Sequence, residues 1–290
     1  MMKRFGLLCI SSVISWPILA LTPSVPLSVA TVQNKTFCLS EKLPDPETIA
    51  GKPIEGTHYI SVQTRGGNLL LGPIFGAINI NSKSNAQAEA LKKGISTIDP
   101  FKLAMEAPLA KSLLAADPTG AGIEIKPYVI IQLCKDENYR MSLAFQLADL
   151  SPKKDKYDEK WIGRYTYHCK TVMTKDQIID PPPELQQGFH DELAAATNQL
   201  FELIEKDRQG ALSAEDKRVK VGSLHLVGDI TFGNPNNFVF TDCYLQEDRG
   251  DAIVFRRKKA LLTAAPFMGG LTFGVHLIRK DLLHTFESLK

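Results

Sequence analysis

Between Ile123 and Met173 the chain alternates apolar and polar residues with a period of two in three successive stretches, the pattern of half-buried antiparallel strands. In the first, Ile123, Ile125, Pro127, Val129, Ile131 and Leu133 share one face, and Glu124, Lys126, Tyr128, Gln132 and Cys134 share the other, with Ile130 as the exception. The polar connection Lys135–Asn138 has hairpin length and leads to a second strand in which Met141, Leu143, Phe145 and Leu147 alternate with Arg140, Ser142, Ala144 and Gln146. After the polar loop 151–159, Trp161, Gly163, Tyr165, Tyr167, Cys169 and Thr171 take one face of a third strand, and Arg164, Thr166, His168 and Lys170 the other. Such a meander needs a cover for its apolar face. Downstream, Leu185, Phe189, Leu193, Ala196, Leu200 and Leu203 form the longest helical stripe in the chain, running from the stiff Pro181–Pro183 to a stop at Gly210. The opposite face of the sheet is expected to be wet.

The first thirty residues read as a cleavable export signal. Lys3 and Arg4 precede the uncharged run Phe5–Ala20, and Ser28-Val29-Ala30 places small residues before a mature start at Thr31. Cys9 lies at the start of that run, which does not suit lipidation. Removing the leader leaves 32 Lys and Arg against 32 Asp and Glu, and this balance speaks against nucleic acid as a partner. The single basic cluster, Arg256-Arg257-Lys258-Lys259, reads as a solvated strand end.

Residues 31–55, with Pro44, Pro46 and Pro53, read as an extended arm. Within it Asn34-Lys35-Thr36 is a glycosylation sequon, meaningful only in a eukaryotic secretory pathway. Residues 56–290 then form one mixed domain, with a sub-boundary near 208–217. His58–Thr64 is strand-like, with a hairpin turn at Arg65–Asn68, and residues 85–93 form a helix ending before Gly94. Asp99-Pro100 is an N-cap followed by proline at the first helical position. Phe101, Met105, Leu109 and Leu113 recur every four residues as a buried stripe on a helix that Pro108 should kink or split. In the last third, strands at 217–232, 237–246 and 252–257 make a second meander. The fold class is α+β: antiparallel meander sheets packed against amphipathic helices, preceded by the signal peptide.

Export permits disulfides among Cys38, Cys134, Cys169 and Cys243. Cys134 and Cys169 lie on strands flanking a shared neighbour, roughly 9 to 10 Å apart and on different faces. A bridge tolerates about 7 Å between Cα atoms, so two bridges would join Cys38 to Cys134 with Cys169 to Cys243, or Cys38 to Cys169 with Cys134 to Cys243. Four buried thiols are the alternative.

No Gly-x-Ser-x-Gly elbow, His-Glu-x-x-His, P-loop, Cys-x-x-Cys or helix-opening Gly-x-Gly-x-x-Gly occurs, so no cofactor or metal is expected and catalysis has no local signature. His168 and Cys169 are adjacent, but strand alternation sends them to opposite faces, as an exposed imidazole beside a core thiol. His225, in mid-strand, His276, in the apolar tail, and His284, on a short terminal helix, read as structural or surface residues. The rings of Trp161, Tyr165 and Tyr167 read as core rather than as a ligand platform.

Ala260–Ile278 is nineteen residues without Asp, Glu, Lys or Arg. Its glycines, Pro266 and His276 suit doubly buried strands better than a membrane span. Pro266, Phe267 and Met268 echo Pro73, Ile74 and Phe75, and these two Gly-rich apolar segments are the expected interface. The reading is an exported protein, periplasmic or secreted and envelope-associated. It acts without catalysis by binding a protein or envelope component, with peripheral membrane contact as one form of that binding. The alternatives are a hydrolase of envelope polymers and a protein anchored by a span at 260–278.

Overall fold

A computed structural model describes residues 32–44, 52–63, 92, 94–134, 136–151, 162–212, 217–226, 239–257 and 273–289. The expected export signal, the expected Arg65–Asn68 turn, the expected helix at 85–93 apart from residue 92, Trp161, and the segments holding Pro73, Ile74, Phe75, Pro266, Phe267 and Met268 lie outside these residues.

The expected meander is present: β4 (Ile123–Leu133), β5 (Tyr139–Asp149) and β6 (Ile162–Met173) pair antiparallel in sequence order. Around it stand β1 (Phe37–Leu39), β2 (Lys52–Pro53), β3 (Tyr59–Gln63), β7 (Arg218–Gly222), β8 (Val239–Asp248), β9 (Ala252–Arg257), β10 (Gly274–Arg279) and β11 (Thr285–Ser288). All join one 11-stranded sheet, ordered β11-β7-β8-β9-β10-β6-β5-β4-β3-β2, with β1 beside the start of β4.

The expectation of purely antiparallel sheets is therefore corrected. β1 and β3 run parallel to β4, and β10 runs parallel to β6. A parallel neighbour requires a long crossover. Here the crossovers contain α1 (Pro100–Glu106) and α2 (Ala110–Leu113) before β4, and α3 (Lys175–Ile179) and α4 (Pro183–Arg208) after β6. The second meander, β7 to β10, is joined to the first by the β6–β10 pair. The segment read as an arm supplies β1 and β2 and buries Phe37 and Ile54.

The helices cover one face. Phe189, Leu193, Ala196, Leu200, Phe201, Leu203 and Ile204 of α4 pack with Leu143, Phe145 and Leu147 of β5, Tyr165 and Cys169 of β6, and Val275 and Leu277 of β10. Phe201 meets Phe145 edge-on, ring centroids 5.0 Å apart. Tyr165 is thus core as expected, and Tyr167 packs half-buried at its border. Two polar devices fix α4 in place. Its Glu192 accepts from the Lys170 amide at 2.6 Å and from the Thr171 amide at 3.2 Å, where the β5–β6 register shifts and strand amides lose ladder partners. Its Asp207 accepts from the Tyr165 hydroxyl and lies 2.7 Å from Arg256.

Asp99 caps α1, accepting from the Phe101 amide at 2.9 Å with Pro100 at the first position, and the helix splits at Pro108 as expected. The stripe on it is corrected. Met105 is 56% exposed and Leu109 38%, while Leu103, Ala104, Ala107 and Ala110 are buried. A spacing of four drifts about 40° per step around a helix, and the break at Pro108 ends the phase altogether. Alanines face inward because they let α1 approach α4 and β4 closely.

The four cysteines are all buried, unpaired thiols, which corrects the disulfide expectation and leaves its alternative. Cys169 lies under α4, whereas Cys243 packs with Val219, Phe240 and Phe255 on the other side of the sheet. Of the apolar run at 260–278, residues 274–278 form β10, between β6 and β9 and buried on both faces. Among the described residues no helix is long and apolar enough to cross a membrane.

Candidate functional site

The face of the sheet turned away from the helices was expected to be wet and is instead buried. Tyr128 and Gln132 of β4, Ser142 and Gln146 of β5, Arg164, Thr166 and His168 of β6, and His276 of β10 are all almost completely enclosed. Pairing aligns them in rows: Gln146 opposite Arg164, Ser142 opposite His168, and Thr166 beside His276. Burial of polar groups is tolerated only where they bind one another.

The Arg164 guanidinium donates to Gln146 Oε1 at 2.7 Å and sits 4.6 Å from the centre of the Phe273 ring. The Tyr128 hydroxyl acts on the same guanidinium. Burial pushes the tyrosine up and the arginine down, and each partly offsets the shift of the other.

The second row is a chain of hydrogen bonds. Ser142 Oγ lies 3.0 Å from His168 Nδ1, and His168 Nε2 lies 3.1 Å from His276 Nδ1. The two imidazoles are nearly parallel, and Phe255 stacks on His276 from β9 at 5.0 Å. Desolvation, aided by the charges His276 and His225 would carry, holds the His168 imidazole well below its usual value. His225 lies in the turn after β7, not in mid-strand as expected, and neither of its ring nitrogens has a hydrogen-bond partner among the described residues. Burial first and the Arg140 charge second pull it down to about 4.

His168 and Cys169 do point to opposite faces, but the imidazole is buried, not exposed as expected. His276 is buried within the sheet and bonded to His168. His284 stands before β11, after the single 3-10 turn Lys280–Leu282, rather than on a terminal helix. No three His, Cys, Asp or Glu residues among those described are arranged to hold a metal ion.

The strand ends that lead toward the two Gly-rich segments are at opposite ends of the sheet. Gln63 of β3 lies beside Leu133, whereas Arg257 and Gly274 pair at the end where β6 begins. The buried polar layer escaped sequence reasoning because alternation reports two different faces and not which is wet. A signal was present in its composition. The β5 row of Arg140, Ser142, Ala144 and Gln146 lacks Lys, Glu and Asp, which a solvated strand face normally carries.

No protein-family model matches the chain, and no curated protein is detectably similar to it.

Proposed function

We propose that the chain is an exported, envelope-associated protein that binds a protein or another envelope component and performs no catalysis. One observation supports this reading above the others: the sheet's reactive polar groups are enclosed, while large apolar side chains stand in water. Met105 and Leu109 are exposed on α1 and just before α2, with Phe101 half-exposed beside them and stacked on His58 at 5.5 Å. Exposed apolar groups placed together are a mark of association surfaces. Pro73, Ile74, Phe75, Pro266, Phe267 and Met268 complete the proposed interface set.

The test is site-specific photo-crosslinking in intact cells, with the full chain carrying the probe at position 105, 267 or 184; Glu184 is the exposed polar control on α4. A discrete adduct from 105 or 267, absent from 184 and lost in Leu109→Glu for the first of these sites, is the expected result. Equal yields from all three positions would overturn the reading.

A second reading, hydrolysis, has the Ser142–His168–His276 chain in its favour, since a serine hydrogen-bonded to an imidazole that is itself oriented by a third group is the arrangement of an activated nucleophile. Its enclosure weighs against it, because Ser142 is 4% exposed in the middle of a central strand. A fluorophosphonate probe is expected to leave Ser142 unlabelled in the folded chain; stoichiometric labelling there would establish the catalytic reading.

A further inference from the structure

We propose that Ser142, His168, His276 and His225 form an acid-sensitive latch, which holds the Ser223–Leu226 turn against the centre of the sheet at neutral pH and lets it loosen on acidification. The geometry is that of a closed contact between distant parts of the chain. His168 sits on β6, midway along the sheet, and bonds outward to β5 through Ser142 and to β10 through His276. The turn arrives from β7, three strands away from β10 in the sheet order, and brings the His225 backbone and charge close enough to act on His168. Other bonds tether the same turn: Ser223 Oγ donates to Leu282 O at 2.6 Å, and the Cys134 thiol to Leu224 O at 3.6 Å.

The charged groups around the three imidazoles decide what acid does. The Arg140 charge of β5 acts on His225 against its protonation, and those of Asp136 in the β4–β5 turn and Asp281 act in the opposite sense. Arg164 lies four residues before His168 on the same face of β6, and Arg257 of β9 lies two pairs further along from Phe255, opposite Gly274. The acids near the latch are already engaged. Asp136 is bidentate with Arg140 at 2.9 and 2.7 Å, Asp281 with Arg279, and Asp242 with Arg257. Arg140 holds Asp136 well below the usual carboxylate range, so that pair survives mild acid and leaves the imidazoles as the groups that change.

A proton entering this layer adds positive charge among arginines, on imidazoles that are almost fully buried. His168 and His225 both bind protons more weakly folded than unfolded, so their stabilising effect is complete above the unfolded value of about 6.5 and is lost as pH falls through the folded values. An opening that hydrates His225 alone, from about 4 to its ordinary value, becomes about thirty-fold more favourable between pH 7.5 and 5.0.

The experiment is amide hydrogen exchange of the full chain at pH 7.5 and 5.0, corrected for the intrinsic pH dependence of exchange. Peptides covering 165–169, 223–226 and 275–278 are expected to lose protection by at least about thirty-fold at pH 5.0, while the α4 peptide 193–204 keeps its own. His225→Gln, which carries an amide at the turn and cannot titrate, should reduce that loss by roughly this factor in 223–226. Protection unchanged in the three peptides would overturn the proposal. Equal losses in α4, or a loss undiminished in His225→Gln, would also overturn it, by showing a global carboxylate-driven transition instead.

Discussion

Replacing Gly274 with alanine is expected to destabilise the fold by more than about 3 kcal/mol, lowering the thermal midpoint on the order of 10 °C or abolishing soluble expression. Two independent features of the site lead there. Gly274 has a φ of +109°, a conformation in which L residues are strained whatever the room around them. In addition, a Cβ would come 2.2 Å from the carbonyl oxygen of Arg164. That oxygen belongs to the backbone of β6, in the middle of the sheet, and cannot swing away as a side-chain tip could. Gly250, in the β8–β9 turn, separates the two effects: its φ is +85°, but nothing lies within 4 Å of a new Cβ. Gly250→Ala should therefore cost only the backbone strain, of order 1 kcal/mol. Parallel thermal melts of the two variants check the difference, and similar shifts would mean that β6 yields where it is drawn as fixed.

Asp207→Ala is expected to cost about 3–5 kcal/mol, through the charge left behind more than through the bond removed. Asp207 sits in the last turn of α4, where the helix dipole disfavours an acid, and its side chain is 2% exposed. It is held there by Arg256 at 2.7 Å and by the Tyr165 hydroxyl, whose proton burial and the adjacent carboxylate both retain to well above the usual pH. Without the carboxylate, the Arg256 guanidinium stays at 12% exposure beneath the helix with its anion gone. Arg256→Met in the same background should recover part of the loss, since an apolar pair of similar volume is tolerated where a buried guanidinium that has lost its carboxylate is costly. Urea unfolding of the two single variants and the double variant closes the cycle. Additive losses would place the two side chains outside one another's influence.

These two sites differ in how visible they are before folding is known. β4, β5 and β6 are legible from alternation alone, because one face of each meets a helix and the apolar set cannot slip without exposing itself. The long stripe from Leu185 to Leu203 predicts α4, and Asp99-Pro100 and Pro108 predict where α1 begins and ends. Pairing direction is not legible in the same way. Nothing in Gly274–Arg279 states that its neighbour is β6, about a hundred residues earlier, rather than β9 alone. The basic pair Arg256-Arg257 looks like a solvated strand end, yet its two members turn to opposite buried faces, one toward Asp207 and the other onto the Phe240 ring at 3.9 Å. His168, His225 and His276 are spread over more than a hundred residues, and their meeting depends wholly on sheet order.

The seating of β10 between β6 and β9 also has a kinetic side. During synthesis the amino-terminal strands and α4 emerge long before Gly274, and until that strand arrives each meander presents an open row of amide and carbonyl groups where the other will dock. Such a chain stays unfinished, and exposed to capture by chaperones, for most of its time on the ribosome. Final closure then resembles the drawing of a zip from the middle, and it waits on a pairing across about a hundred residues, the kind of long-range contact that slows folding.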